Sequence, residues 1–279
     1  MVTALDYGEF ETAWCPGCGN FSIRKAVVKA LVALNLPPHK VVFSSGIGQA
    51  AKAPHYIRAN VFNGLHGRSL PAATGIKLAN PELAVFAESG DGCSYGEGGN
   101  HFLAAIRRNI DITYIVHDNQ VYGLTKGQAS PTTPKGQKTK TQPKGAPSDP
   151  INPLAVAVTM GAGFVARGFS GEIDHLADLI VQGARHPGFS LIDVLQPCVS
   201  FNKVNTFAWY KERCSTIGPE HDPTDHRAAL DKAMEFGDKI PIGVIWKGDR
   251  PPFGSVPDGP LAAREPDKAA LADIFSSYA

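Results

Sequence analysis

Two patterns in this 279-residue chain combine residue types and spacings that could do chemistry. The first is Ser89-Gly90-Asp91-Gly92, with Asn119 twenty-eight residues beyond the aspartate. Gly90 and Gly92 let the backbone turn sharply and approach a bulky anion. Asp91 offers a hard carboxylate oxygen and Asn119 a second oxygen donor. Mg²⁺ takes such oxygens in octahedral geometry, usually one or two protein groups completed by phosphate oxygens and water. The pair therefore reads as a diphosphate-and-magnesium site. A Gly-Asp-Gly alone marks an ordinary turn, and it is the pairing with Asn119 that carries the reading. The second pattern is Cys15-Pro16-Gly17-Cys18, with Cys93 directly after the Gly-Asp-Gly, Cys198 in Gln196-Pro197-Cys198, and Cys214 beyond. A Cys-x-x-Cys can hold zinc, ligate an iron–sulfur cluster or exchange disulfides. Exchange is the weakest of these, because no strand precedes the turn.

Positioning those residues requires a sheet whose strand ends meet. Residues 20–34 carry Ile23, Val27, Leu31 and Leu34 at helical spacing, with Asn20 as N-cap and Pro37-Pro38 blocking continuation. VVFSS (41–45) reads as a buried strand emptying into the glycine-rich GIGQAAKAPHY. A helix over 72–79 and a strand over 83–89 follow, the strand running into GDGCSYGEGG. Then come a helix over 97–108 and the strand ITYIVHD (112–118). Residues 129–150 hold five prolines and no large apolar side chain, which reads as a long surface loop and a candidate lid. Beyond it the pattern predicts helices at 153–160 and 174–185, strands at 163–169 and 189–195, a helix at 224–236 and a strand at 240–246. Strands alternating with helices predict an α/β fold with a mainly parallel sheet covered on both faces. Ligands of such sheets collect beyond the carboxyl ends of the strands, where SSGIGQ, ESGDGC, HDNQVYG and QPC fall. The division expected is a diphosphate- and Mg-binding domain at 1–200 and an extension at 201–279 that packs on it or on a partner.

Lysine plus arginine total 27 and aspartate plus glutamate 26. That balance gives no strong field toward nucleic acid or anionic lipid. No apolar run approaches membrane length, and MVTALDYGEFE lacks the layout of a signal peptide. The expectation is a cytoplasmic protein with reduced thiols.

The Gly-Asp-Gly…Asn spacing resembles the thiamine diphosphate motif, with Asp118-Asn119 where that motif usually closes on two asparagines. WCPGCGN, SGIG, HGRSLPAATGIKLA, GDG…GGNHF, DNQVYGLTKGQASPT and QPC, in this order, are similar to beta subunits of 2-oxoacid:ferredoxin oxidoreductases over about residues 10–215. The resemblance implies the thiamine diphosphate-binding fold and a heteromeric enzyme that oxidatively decarboxylates a 2-oxoacid to an acyl-CoA, passing electrons to ferredoxin. It implies Asp91, Asn119 and the Val121 carbonyl as Mg²⁺ ligands. Gly46, Ile47, Gly48, Gly90, Gly92, His66 and Arg68 would surround cofactor or substrate. The glutamate that usually activates the aminopyrimidine belongs to a separate alpha subunit, so this chain alone is expected to be inactive. Lys126 in GLTKGQ is placed to meet a substrate carboxylate, which leans toward 2-oxoglutarate over pyruvate; the plainer reading is a solvated lysine. His66 and Arg68 are alternatively a hydrogen-bonded turn pair.

Relatives that carry a [4Fe–4S] cluster on this subunit use the Cys-x-x-Cys pair, a cysteine in the first glycine loop and the cysteine of Pro-Cys. Cys15, Cys18 and Cys198 match three of these positions, and Gln49 stands at the fourth. Neighbouring strands lie about 5 Å apart, so Cys93 from the next strand end is the expected replacement, with Cys214 a less favoured one. Zinc in the same thiolates stays open but is redox-silent. The competing functions are a non-redox thiamine diphosphate-dependent decarboxylase or synthase subunit without a cluster, and a metal-stabilised interaction subunit.

Overall fold

The computed structural model describes residues 1–254 and 267–277. In chain order its elements are α1 (Asn20–Ala33), β1 (Val41–Ser45), β2 (Asn60–Asn63), α2 (Ser69–Ala79), β3 (Ala84–Gly90), α3 (Gly99–Arg108), β4 (Thr113–Asp118), β5 (Val121–Tyr122), β6 (Gln128–Ala129), α4 (Pro153–Thr159), β7 (Phe164–Phe169), α5 (Ile173–Arg185), β8 (Ser190–Leu195), α6 (Phe207–Arg213), β9 (Cys214–Thr216), α7 (His226–Met234), β10 (Ile240–Lys247) and α8 (Lys268–Ser277). A 3₁₀ segment, Ala50–Tyr56, follows β1, and one π-helical turn, Gly92–Glu97, lies between β3 and α3. The predicted helix at 97–108 thus starts two residues later, because the preceding residues are wound into the π turn.

Eight strands form one sheet in the order β2-β1-β3-β4-β8-β7-β10-β9. Every pairing from β2 across to β7 is parallel; β10 joins β7 antiparallel and carries β9 parallel on its outer side. The α/β architecture with a mainly parallel, doubly covered sheet is therefore as expected. Alternation along the strands feeds two cores. Val85, Ala87, Tyr114, Val116, Val165 and Leu191 pack on one face with residues of α2, α3, α4 and α7. Phe43, Phe86, Ile115, Phe164, Ala166 and Ile192 pack on the other with α1 and α5. From the region after residue 200, β10 and β9 extend this sheet. The edge strand β2 is exposed along its whole length, and its polar ends gave no strand pattern.

Candidate active site

The loops after β1, β3, β4 and β8 leave one edge of the sheet, since these four strands are adjacent and parallel. Asp91 directly follows β3 and is 1 % exposed. Its Oδ2 accepts hydrogen bonds from Ser130 Oγ at 2.5 Å and Thr132 Oγ1 at 2.7 Å. Thr132 Oγ1 also lies 2.7 Å from Asp118 Oδ1, at the end of β4. A hydroxyl has one hydrogen, so making both contacts requires a proton on a carboxyl group. Burial pushes the Asp118 carboxyl well above its ordinary range, and the neighbouring charges of Asp193 and Asp91 push it further. Burial raises the Asp91 carboxyl too, and the Ser130 and Thr132 hydroxyls offset part of that rise, so the two carboxyl groups and Thr132 form one buried hydrogen-bonded network. Ser130 and Thr132 belong to the proline-rich stretch 129–150, whose hydroxyls reach the centre of the site.

Asn119 Oδ1 accepts the Val121 amide at 3.1 Å, and its backbone carbonyl accepts from Asn202 at 3.1 Å. Gln120 between them is buried with φ +60°, a left-handed backbone that a non-glycine residue adopts only when its surroundings enforce it. Thr133 Oγ1 does this by donating to the Gln120 carbonyl at 2.5 Å. The donor set of carboxylate, amide and carbonyl oxygens suits Mg²⁺. Gly92 matters for space: a Cβ there would fall well inside contact distance of the Tyr122 ring, so this loop and the β5–β6 hairpin can approach only over a glycine. Gly46 lies buried at the mouth of β1, Gly48 faces open space, and Ile47 is exposed. The Ser89 hydroxyl beside Gly46 is buried and receives no partner among the described residues, a polar group available to a ligand in this cradle.

His66 Nε2 lies 2.9 Å from Glu97 Oε2, which also accepts the Tyr122 hydroxyl at 3.1 Å. Arg68 Nη1 lies 2.7 Å from His101 Nε2. His66 and Arg68 are thus each paired within the rim rather than with each other. Lys126 is exposed at the turn of the β5–β6 hairpin with φ +76°.

Cys15, Cys18 and Cys198 line one pocket with Trp14, Gln49, Asn119 and Gln196. Ser200 Oγ donates to Cys15 Sγ at 3.1 Å and Gln196 Nε2 to Cys18 Sγ at 3.3 Å. Burial pushes the Cys18 thiol up to about 11, the Asn20 amide offsets part of this, and the thiols of Cys198 and Cys15 add to the rise. Cys93 lies elsewhere. It is buried, its sulfur accepts the Gly67 amide at 3.1 Å, and it fills the space above Gly46. Cys214 starts β9 on the far side of the sheet order. The cysteine pocket and the proposed cation loop share a wall: Asn119 Nδ2 donates to Gln196 Oε1 at 3.2 Å, and the same amide's nitrogen donates to Cys18.

Residues 42–194 match the thiamine pyrophosphate enzyme C-terminal TPP-binding domain, and residues 198–257 match the C-terminal region of pyruvate ferredoxin oxidoreductase beta subunits. The chain is 46% identical over 252 residues to the 2-oxoacid:ferredoxin oxidoreductase subunit beta of a Sulfolobus species, covering 86% of this chain and 83% of that one. It belongs to the beta subunits of the 2-oxoacid:ferredoxin oxidoreductases. The 2-oxoglutarate synthase subunit KorB of Methanocaldococcus jannaschii is 38% identical over 248 residues, covering 86% of this beta subunit and 89% of its own length. The solved 2-oxoglutarate:ferredoxin oxidoreductase from Magnetococcus marinus, with 2-oxoglutarate, coenzyme A and succinyl-CoA bound, superposes with a TM-score of 0.87 at 35% identity. That match covers 99% of this chain and 91% of the other.

Several residues of this beta subunit's site carried no signal in sequence. Ser130, Thr132 and Thr133 looked like loop polarity, yet they are buried on Asp91, Asp118 and Gln120. Behind them lies a cavity lined by Asp118, Thr132, Arg167 and Asp193 among others. Tyr95 donates to Asp193 Oδ2 at 2.6 Å, and the Arg167 guanidinium donates to the carbonyls of Ala233, Glu235 and Pro241. Under the cysteine pocket, fully buried His117 bridges Asn20 Oδ1 and Glu88 Oε1 at 2.8 Å each. Charged residues inside strand patterns were the available hint: Arg167, Asp193, Glu88 and His117 all interrupt otherwise apolar runs.

Proposed function

We propose that this beta subunit, joined to an alpha subunit, oxidatively decarboxylates a 2-oxoacid, leaning to 2-oxoglutarate, and forms the acyl-CoA while electrons pass through an iron–sulfur cluster to ferredoxin. The observation that carries the reading is the Gln196 bridge, which joins the Asn119 loop to Cys18 through one side chain. It puts an oxygen-donor site and a thiol pocket back to back, as a reaction needs when a two-electron substrate feeds a one-electron acceptor. Thiamine diphosphate would supply a nucleophilic carbon and an electron sink, and a [4Fe–4S] cluster one-electron acceptance. Asp91, Asn119 and the Val121 carbonyl would hold Mg²⁺. Gly46, Gly48, Gly90 and Gly92 would leave the backbone close to the diphosphate, and Cys15, Cys18 and Cys198 would ligate the cluster.

The chain's own residues then divide the remaining work. Thr132 and Ser130 fix Asp91 through their hydroxyls, and Thr132 ties it to Asp118. The His66–Glu97–Tyr122 set forms a polar rim, and Lys126 offers a cation to a distal substrate carboxylate. Ile47, Leu65, Leu124 and Phe201 are exposed on the glycine loop, next to His66, on the hairpin and after the cysteine pocket. Apolar exposure around a site suits burial against a partner, which supports completion of the site by the alpha subunit. Gln49, in place of a thiolate, is the observation favouring the second reading, a non-redox decarboxylase or synthase subunit. Anaerobic co-purification with the alpha subunit followed by a panel of oxoacids with coenzyme A and ferredoxin tests both. Ferredoxin reduction fastest with 2-oxoglutarate is expected. CO₂ release with no ferredoxin reduction for any oxoacid would select the non-redox reading instead.

A further inference from the structure

We propose that the cluster of this beta subunit is held by three thiolates, Cys15, Cys18 and Cys198, and that its fourth iron faces the carboxamide oxygen of Gln49. The inference rests on the reading above that the cysteine pocket holds a cluster. Gln49 lines that pocket together with the three cysteines. Its backbone carbonyl accepts the Trp14 indole N–H at 2.9 Å, and Trp14 is itself packed edge-on against Phe21 and Tyr56. Gln49 is therefore fixed by the same turn that carries Cys15. Its Oε1 is buried, yet no donor among the described residues reaches it. Leaving such an acceptor unsatisfied is costly, and a Lewis-acidic iron would offset that cost. The thiol that could compete, Cys93, is committed to the Gly67 amide and the space over Gly46, and it does not line the pocket.

Two properties follow from exchanging a thiolate for a neutral amide. The ligand set loses one negative charge, which makes the reduced cluster easier to form, because net charge is one of the determinants of cluster potential. The fourth iron also loses its strongest tether, since amide oxygen is a poorer partner for this metal than thiolate. Mild oxidation then removes it. The [4Fe–4S]²⁺ cluster gives [3Fe–4S]⁺, one Fe²⁺ and one electron, and ferricyanide takes the electron to become ferrocyanide.

The test uses the anaerobically purified heteromer, treated with ferricyanide and followed by iron and acid-labile sulfide analysis and by electron paramagnetic resonance. The Cys15→Ser heteromer defines the background. The wild type should lose about one iron in four from this cluster while keeping its sulfide. It should then show the resonance of an oxidised three-iron cluster, reversed by Fe²⁺ and dithionite. Gln49→Cys should keep all four irons, show no such resonance and titrate at a lower potential. Cys93→Ser should behave as the wild type. Less iron in Cys93→Ser than in the wild type before ferricyanide treatment, or a wild type as resistant to ferricyanide as Gln49→Cys, would overturn the proposal. So would a cluster present in Gln49→Cys but missing from the wild type, which would leave the pocket reading intact. Equal iron in wild type, Gln49→Cys and Cys15→Ser would sink the pocket reading itself.

Discussion

The place of Cys93 can be probed through Gly46 without any metal. Gly46 lies outside the left-handed region, so alanine there meets no backbone strain. What it meets is sulfur: an added Cβ would fall well inside contact distance of Cys93 Sγ, with Ser89 Oγ at 3.2 Å and the Leu65 carbonyl at 3.4 Å. Ordinary carbon contacts are about 3.5–4.0 Å, so the overlap on sulfur is ~1 Å or more, whereas the two oxygens need to yield only slightly. Overpacking of this kind costs about 1–3 kcal/mol. At roughly 2–4 °C per kcal/mol for a chain approaching this size, Gly46→Ala should melt about 2–12 °C below wild type. Cys93→Ala alone removes a buried thiol and costs about 1 kcal/mol. The double variant should nonetheless be more stable than Gly46→Ala, because the atom in the way is gone. Urea unfolding of all four proteins closes the cycle, with a coupling energy of about 1–2 kcal/mol expected. Sites without shared contacts add to within about 0.3–0.5 kcal/mol. Additivity within that range, or a neutral Gly46→Ala, would mean that the thiol points elsewhere.

Thr132→Val keeps shape but removes the hydroxyl shared by Asp91 and Asp118, and should cost about 1.5–3 kcal/mol in urea; exposed Thr125→Val serves as a control and should stay near wild type. Burial pushes the Asp193 carboxyl up to about 6. The folded state then holds a proton that the unfolded state has released, so this group's contribution is full below about pH 4 and is lost as pH rises to about 6. Asp193→Asn should flatten that descent in a stability–pH profile, and an unchanged slope would assign it to other groups. Glu88→Ala leaves His117 buried without its carboxylate and should destabilise by about 3–5 kcal/mol, whereas replacing both by leucine should be much milder; equal losses would show that the pair's charge is not what is being balanced. Lys126→Ala should raise KM for 2-oxoglutarate more than for pyruvate in steady-state assays of the heteromer, and equal changes would remove the lysine from specificity.

The parallel sheet was legible because its strands are short apolar runs ending in glycine, and those ends are where the site loops emerge. Asp91 and Asn119 could be placed from that rule, whereas the grouping of Cys15, Cys18 and Cys198 came from the resemblance to the beta subunits. The direction of Cys93 followed from neither. Strand spacing brings residue 93 beside the first glycine loop, but which way its thiol points is set by the π turn at Gly92–Glu97, and no periodicity announces such a turn. Ser130 and Thr132 were illegible for a different reason. A hydroxyl in a proline-rich stretch looks the same whether it meets water or a buried carboxylate, and only the tertiary fold decides. β2 and the β5–β6 hairpin are too short or too polar to register as patterns.

Gln196 has a consequence for how the two halves of the site can move. A carboxamide is polar end to end, and here its oxygen is spoken for by the Asn119 amino group and its nitrogen by Cys18 sulfur. Turning it over would set amino group against amino group at one end and oxygen against sulfur at the other. The side chain therefore has one permitted orientation, and it works as a keyed strut. A change in charge on the sulfur alters its pull on the nitrogen end and is felt as a tug on the asparagine at the other. The spacing between the oxygen-donor loop and the thiol pocket is thus held by one amide that fits in one direction only.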